Sequence, residues 1–189
     1  SHSSKDQWFA VDMGKPSFEF SAVPVDLATE NVEVVREPKV DQPGEIVITR
    51  HSASAELFQE APIAIMPVSM GNPHAVILAD TAPGQTTFYA IGDYVEKHPL
   101  FPERTNVEVV WKSGNDWHVL VWERGVGETL SCGTGACAAG VAVLSLLGED
   151  AEARKIELNF PGGPLRVTWE DTVILQGPAT EVFEGEIEV

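Results

Sequence analysis

The chain has 189 residues, 43% of them hydrophobic and 22% charged, a composition typical of a globular protein with a buried core. Acidic residues outnumber basic ones by 29 to 12, the formal net charge is -17, and the basic residues form no cluster, which argues against nucleic acid and anionic membrane as partners. The sequence contains no apolar run long enough to span a membrane, no recognisable signal peptide and only two cysteines, which we expect to be reduced. A cytoplasmic location is therefore predicted.

Strand patterns dominate the sequence. Short runs rich in β-branched and aromatic residues recur, and Gly, Pro, Asn or Asp marks most of the intervals between them. The predicted strands, in chain order, are Gln7 to Met13, Val32 to Arg36, Glu45 to Arg50, Ile63 to Val68, Ala75 to Ala79, Asn106 to Lys112, Trp117 to Glu123, Ile156 to Phe160, Leu165 to Trp169, Thr172 to Gln176 and Glu181 to Val189. This order predicts a mostly antiparallel, meandering sheet.

Two predicted helices interrupt the strands. The first, Thr86 to His98, carries apolar residues at helical spacing and is closed by Pro99, which is typical of an amphipathic surface helix. The second runs from about Thr134 to Leu147, with Gly148 as its cap, and is apolar or small on every face. A helix of that kind is buried. The sequence therefore predicts an α+β fold, in which a mostly antiparallel, curved sheet wraps around a central buried helix.

Cys132 lies where a charged strand end leads into the glycine-rich turn that opens the second helix. Unpaired N–H groups and the positive end of the helix dipole favour negative charge there, so we expect the pKa of this thiol to be lowered toward neutrality. The same N–H groups can hold an anionic group of a substrate. Cys137 is five residues further on, a helical rise of about 7.5 Å, which is too far for a disulfide. We expect it to pack in the core.

Asn72 and His74 stand on either side of Pro73, between two predicted strands. Proline restricts the backbone of its own residue and of the one before it, so both polar side chains are predicted to lie on a rigid turn. A hydrogen-bonded histidine in an Asx-type turn is the structural alternative to a catalytic role for His74.

Asn106 opens a later strand, and Glu123 and Arg124 stand next to each other at the end of the strand that follows. Adjacent strand residues point to opposite faces, so one of this pair is able to enter a site while the other packs or pairs elsewhere. A turn asparagine and a solvated Glu/Arg pair are the simpler interpretations. The cysteines and histidines do not offer four ligands at a metal-binding spacing, so no metal site is predicted.

Several short motifs occur in an order typical of one enzyme family. The most specific is Glu-Arg-Gly-Val-Gly-Glu-Thr-Leu-Ser-Cys-Gly-Thr-Gly-Ala-Cys-Ala-Ala, at 123–139. The others are Val-Asp-Met-Gly-Lys-Pro at 11–16, Met-Gly-Asn-Pro-His at 70–74, Pro-Glu-Arg-Thr-Asn at 102–106, and the ending from Gly-Pro-Ala at 177–179 to Glu-Gly at 184–185. Together they resemble the diaminopimelate epimerase family over almost the whole chain.

The resemblance implies an amino-acid epimerase that interconverts LL- and meso-diaminopimelate without a cofactor, on the bacterial route to lysine and peptidoglycan. In members of this family, two similar halves face each other across a cleft, and each half has a cysteine at the N-terminus of its central helix. One thiolate removes the α-proton, and the opposing thiol returns a proton to the other face. The carbanion is stabilised by dipoles aimed at the α-carboxylate.

Residue by residue, the resemblance implies that Cys132 is one of the two catalytic cysteines, with His74 and Glu123 as its catalytic neighbours. The residues implied to bind the substrate are Asn72, Asn106, Glu123, Arg124, Gly133 and Thr134. Among these, Gly133 and Thr134 correspond to backbone donors for the α-carboxylate, and the two asparagines and the arginine correspond to groups that hold the distal end. Phe183 corresponds to a segment that contributes homodimer contacts.

The first half of the family pattern, with its Cys-Gly-Asn-Gly motif, has no match in this chain. We therefore expect the chain to be the second, C-terminal half, with 1–6 a disordered or tag-derived end, 7–179 the epimerase domain and 180–189 a strand that would complete the missing N-terminal domain. Inversion needs two thiols and this half carries one, so we expect it to be inactive alone. Its expected partners are diaminopimelate, the missing half, and a second copy in the full-length homodimer.

The sequence is compatible with three other functions. A cofactor-independent racemase with a smaller substrate would share the architecture, but it would not need Arg124 for a distal carboxylate. A cysteine hydrolase or acyl-transferase would use Cys132 as nucleophile and His74 as base. A truncated domain kept for folding, ligand-binding or assembly is the non-enzymatic alternative.

Overall fold

A computed structural model describes residues 7–49, 62–148 and 154–187, and these form an α+β fold. The strands are β1 (Gln7–Asp12), β2 (Val32–Arg36), β3 (Glu45–Ile48), β4 (Ile63–Ser69), β5 (Pro73–Ala79), β6 (Asn106–Ser113), β7 (Asp116–Glu123), β8 (Gly127–Thr129), β9 (Lys155–Phe160), β10 (Gly163–Trp169) and β11 (Val173–Ala179). The helices are α1 (Gln85–Glu96) and α2 (Gly133–Leu147), and Phe20–Ala22 forms a short 3-10 turn. The predicted end at 1–6 and the predicted last strand residue Arg50 lie outside the described residues.

The described strands form one sheet in the order β1-β11-β10-β9-β7-β6-β5-β4-β3-β2, and β8 pairs with β7 beside this path. Its pairings are antiparallel except for β5 with β6 and β7 with β9. A parallel pair needs a crossover connection, and the two crossovers are the segments that contain α1 and α2. The predicted, mostly antiparallel sheet is therefore confirmed, and the helices account for its two parallel pairs.

Helix α2 is the centre of the fold. It is buried from Gly135 to Leu144 and packs against β4 to β7 as well as β9 to β11, so the sheet curves around it. Small residues allow close approach: a Cβ atom added at Gly140 would lie 2.7 Å from Cγ1 of Val167. The predicted central helix is confirmed. Neither helix among the described residues is long and apolar enough to cross a membrane.

Helix α1 covers the opposite face of the sheet. Phe88 and Val95 on its inner face are fully buried, and Val95 packs in a second core that includes Ala75 and Val107. Gly92 lies against the indole ring of Trp122, where an added Cβ would be only 2.6 Å from the ring. The predicted amphipathic surface helix is confirmed, although it ends at Glu96 and not at His98.

Two strand assignments differ from the sequence prediction. Strand β8 was not predicted because its three residues have no apolar alternation; it forms because the chain folds back so that Thr129 pairs with Val121. Residues 181–187 of the last predicted strand have no regular structure and are exposed, and the pairing of this strand with the missing N-terminal domain stays a prediction. A strand requires backbone partners, and no described residue pairs with this stretch. Residues 188–189 lie outside the described part of the chain.

Candidate active site around Cys132

Cys132 is the N-cap residue of α2. Its backbone is extended, with φ -137° and ψ 124°, and its Sγ accepts a hydrogen bond from the N–H of Gly135 at 3.4 Å. The hydroxyl oxygen of Thr134 lies 3.5 Å from the same sulfur. The residue is half-buried, and its thiol lies against the first turn of α2.

The prediction of a lowered thiol pKa is wrong. Burial raises the pKa of Cys132, the hydrogen bonds from Thr134 and Gly135 lower it, and the nearby carboxylates of Glu108 and Glu123 raise it again. The helix N-terminus does favour the thiolate, but desolvation and two negative charges outweigh it. Cys132 is therefore a protonated thiol at neutral pH.

Cys137 lies inside α2, and its side chain is fully buried. Both cysteines are free, as predicted. Burial, with a smaller contribution from Cys132, raises the pKa of Cys137 to about 12. Its predicted role in the core is confirmed, and it is not available as a second reactive thiol.

A line of hydrogen bonds leads from the sulfur into the sheet. The Asn72 amide Nδ2 donates to Thr134 Oγ1 at 3.2 Å, and its Oδ1 lies 3.0 Å from His74 Nε2. The other ring nitrogen of His74, Nδ1, lies 2.7 Å from Oε1 of Glu108. The structure thus brings the predicted residues Asn72, His74 and Thr134 together with Cys132.

His74 is not on the turn that the sequence predicted. It is the second residue of β5, paired with Val68 of β4 and in register with Asn106 of β6, and its side chain is fully buried. Proline is compatible with the first position of a strand, so Pro73 opens β5 and leaves only Asn72 on the turn. The imidazole is consequently held by the sheet.

Asn106 opens β6, as predicted, and both ends of its amide bind backbone groups. Its Nδ2 donates to the carbonyl of Pro73 at 2.9 Å, and its Oδ1 accepts from the N–H of Arg124 at 2.9 Å. The side chain is buried. In this structure, Asn106 ties the start of β5 to the turn that carries Arg124.

Glu123 and Arg124 separate at the end of β7. Glu123 is the last strand residue, and its Oε1 accepts from the hydroxyl of Thr129 at 2.6 Å. Arg124 lies in the turn and is exposed, with Nη1 donating to the carbonyl of Glu103 at 3.2 Å. The carboxylate acts on Cys132 electrostatically, whereas the guanidinium stays at the surface.

A buried carboxylate from α1 anchors the turn between β7 and β8. Glu96 accepts from the N–H of Gly125 and from the Trp122 indole N–H, both at 2.8 Å, and pairs with Arg104 at 3.4 Å. Burial raises the pKa of Glu96, but these donors and the cation bring it below its ordinary value. The turn that carries Arg124 is thereby fastened to the helix behind the sheet.

Glu108 is the site residue that the sequence analysis missed. Burial raises the pKa of Glu108, and the interaction with His74 partly offsets this increase. The sequence does contain a signal, because Glu108 is a lone acidic residue directly flanked by Val107 and Val109 in a predicted strand. In 7–49, 62–148 and 154–187, no group of three or more His, Cys, Asp or Glu side chains is placed to hold a metal ion.

These contacts define a thiol site at the N-terminus of a buried helix in an α+β domain. The sequence model of the family described as "Diaminopimelate epimerase" matches residues 66–182. The chain belongs to that family. The matched region contains the whole line from Asn72 to Thr134 as well as Cys132.

Curated relatives named "Diaminopimelate epimerase" agree with this assignment. One from Leptospira biflexa is 39% identical over 188 residues, which are 98% of this chain and 59% of the relative. One from Acidovorax ebreus is 39% identical over 198 residues, covering 100% of this chain and 62% of the relative. The chain thus spans less than two thirds of the length of these proteins.

A solved structure of a hydroxyproline epimerase from Agrobacterium vitis is also similar, with a TM-score of 0.45 and 13% identity over 78% of this chain and 53% of that one. A TM-score at this level does not establish a shared fold.

Proposed function

We propose that this chain carries one half of the active site of a diaminopimelate epimerase, in which Cys132 exchanges a proton with the α-carbon of the substrate. The main support is the position of the Cys132 sulfur on the first turn of α2, in a chain that belongs to that family. The full-length enzyme would be a cytoplasmic isomerase that needs no cofactor and serves lysine and peptidoglycan synthesis.

The proposed site for the α-carboxylate is the N-terminus of α2. The first N–H groups of a helix have no acceptor within the helix, so those of Gly133 and Thr134 are available to an anion next to Cys132. Charge that develops on the carboxylate as the α-proton leaves would be stabilised by these dipoles. In this arrangement the α-carbon would lie beside the sulfur.

Inversion at carbon needs a base on one face and an acid on the other. Cys137 is buried and so cannot be the second group within the described residues. We propose that a second cysteine comes from the N-terminal half that the longer relatives contain. Since its pKa is raised, Cys132 rests as the thiol that returns a proton; in the reverse direction it would have to act as the base.

The distal end of the substrate is proposed to lie toward Arg124 and Asn72. A guanidinium carries several N–H donors, and the described residues account for one of those of Arg124, on the carbonyl of Glu103. Asn106 would contribute by holding the backbone of Arg124, since its own amide is occupied. A distal carboxylate is the reason to favour diaminopimelate over the smaller substrate of another racemase.

Phe183 is proposed as a homodimer contact of the full-length protein. Its side chain is 84% exposed, and Val182 beside it is 87% exposed. Two neighbouring apolar side chains left in solvent support a partner surface there. The stretch from 180 onward is proposed to complete the N-terminal domain when that domain is present.

A cysteine hydrolase has less support. A nucleophile and its base should lie within hydrogen-bond reach of each other. Within the described residues, the ring nitrogens of His74 bind Glu108 and Asn72, while the Cys132 sulfur contacts Thr134 and Gly135. The histidine is therefore not placed as the direct base of the thiol.

The test is epimerisation in deuterated buffer. We expect the chain alone to convert no measurable LL-diaminopimelate to the meso form, and the chain mixed with the first half of a relative such as the Leptospira biflexa protein to do so with α-deuterium incorporation. The matched control is Cys132→Ala in the mixture, which should be inactive. Meso product from the pure chain would disprove the half-site, and an active Cys132→Ala mixture would disprove the role of the thiol.

A further inference from the structure

We propose that Glu108 is a positioning residue that fixes the ring of His74 and thereby directs a line of hydrogen-bond donors toward the sulfur of Cys132. This inference deepens the proposed function and rests on it only in taking Cys132 as the reacting thiol. The direction in which each hydrogen bond must run supports this role.

The direction follows from the amide of Asn72. Its Nδ2 donates to Thr134 Oγ1, so its oxygen faces His74 Nε2 at 3.0 Å. An amide oxygen has no proton to give, and therefore Nε2 must carry the proton of this hydrogen bond. The neutral tautomer with a proton only on Nδ1 would leave two acceptors facing each other.

Glu108 holds the other side of the ring. Its Oε1 lies 2.7 Å from His74 Nδ1, and both side chains have 0% of their surface exposed. Whether the proton between them sits on the carboxyl or on Nδ1, the ring keeps the same orientation and Nε2 keeps its own proton. With a partner on each nitrogen, rotation of the imidazole would break two buried hydrogen bonds.

At the other end of this line, Thr134 connects Asn72 to the sulfur of Cys132. A hydroxyl has one proton, and because Oγ1 already accepts from Asn72 its proton is free to point at Sγ, 3.5 Å away. The N–H of Gly135 is a second donor to that sulfur. Since the amide of Asn72 does not pass protons along, the line orients the hydroxyl and does not conduct a proton.

The fold alone gives little reason for a carboxyl at position 108. Glu108 stands between two buried valines, and its Oε2 is buried with no partner among the described residues. Burying a carboxyl in this state costs free energy that a leucine would avoid. The absence of a side chain at Gly135 leaves room for this carboxyl, because an added Cβ would lie only 2.7 Å from Oε1. The carboxyl is therefore fitted against the first turn of α2.

The first experiment determines which ring nitrogens of His74 carry a proton in the unmodified chain. Long-range ¹⁵N–¹H spectra at neutral pH should show His74 with a proton on Nε2 that exchanges slowly with water. An unprotonated Nε2, or a ring that exchanges as freely as that of partly exposed His118, would overturn the proposal. No variant and no substrate is required.

The second experiment is a double-mutant cycle on the alkylation rate of Cys132 by iodoacetamide, in a Cys137→Ala background, with mass spectrometry to locate the adduct. Glu108→Gln and Glu108→Leu both remove the carboxyl group, but only glutamine retains a hydrogen bond to Nδ1. We expect the leucine variant to react about tenfold more slowly than the glutamine variant, the effect of one hydrogen bond to a charged group.

Thr134→Val should produce a similar slowing, with Thr134→Ser as the control that keeps the hydroxyl. In the Thr134→Val background, the difference between leucine and glutamine at 108 should vanish, because the line is already broken. A difference that persists there, or equal rates for the two Glu108 variants with an intact Thr134, would overturn the proposal. If Glu108→Leu fails to fold, the ring measurement decides.

The two proposals can fail separately. The histidine spectra and the alkylation rates need no diaminopimelate, so they hold or fail whatever the substrate is. Loss of epimerisation in the reconstituted mixture, with the coupling between Glu108 and Thr134 intact, would reject the proposed function and leave the positioning role standing.

Discussion

His74 and Glu108 form a fully buried histidine–carboxyl pair across two neighbouring parallel strands, with 2.7 Å between Nδ1 and Oε1. His74 is in register with Asn106, so the carboxyl comes from the next residue along β6 that points to the same face. The interior wall of the thiol site is therefore part of the sheet, and it does not depend on loop conformation.

Gly135→Ala should destabilise the fold and disturb this pair. The new Cβ would lie 2.7 Å from Glu108 Oε1 and 3.2 Å from the Cβ of Cys132. We expect a loss of about 1–3 kcal/mol in the free energy of unfolding, measured by urea denaturation. Gly133→Ala in the same turn is the control, because its Cβ would meet only Leu175 at 3.4 Å. Equal stability of the two variants would contradict this account.

Glu123→Gln should make Cys132 more reactive. The Glu123 carboxylate is one of the groups that raise the thiol pKa, so neutralising it lowers that pKa and increases the thiolate fraction at neutral pH. We expect alkylation to be about twofold to threefold faster. Glu128→Gln, an exposed residue that binds the hydroxyl of Tyr89, should leave the rate unchanged. A slower rate in Glu123→Gln would show that the charge does not act on the thiol.

Glu96→Gln should cost stability at neutral pH and less in acid. The folded-state pKa of Glu96 lies below its ordinary value, so its contribution is present above the unfolded pKa of about 4.3 and is lost as the pH falls through the lower folded value. Unfolding curves of both proteins between neutral pH and acid should therefore converge. Glu19→Gln, at an exposed position, is the control. A gap that stays constant with pH would contradict the prediction.

Gly140→Ala should destabilise the chain despite the better helix propensity of alanine. The added methyl would meet the side chain of Val167 at 2.7 Å, in the contact that brings α2 close to β10. We expect a net loss of about 1–2 kcal/mol after the propensity gain, measured as a shift in thermal midpoint. Gly185→Ala, at an exposed position with nothing nearby, should be neutral. A stabilised Gly140→Ala would show that the helix has room to move.

Much of the secondary structure could be predicted from the sequence because the local patterns were strong. Helix α2 is apolar on every face, which allows only a central position, and α1 shows its buried Phe88 and Val95 at helical spacing. Strand β8 could not be predicted, since Gly127–Thr129 is held by pairing with β7 and not by its own pattern. The segment 181–187 shows the converse, a strand-like sequence without a described neighbour.

The sequence by itself determined the family, the buried helix and the place of Cys132 at its N-terminus, because these depend on residues close together in the chain. Only the tertiary structure decided the chemical state of that thiol. Glu108 acts on it from β6 and Glu123 from the end of β7, and the curved sheet buries Glu108 fully and the other two groups partly. Desolvation and charge act through space, so the direction of the pKa shift could not be obtained from the helix terminus alone.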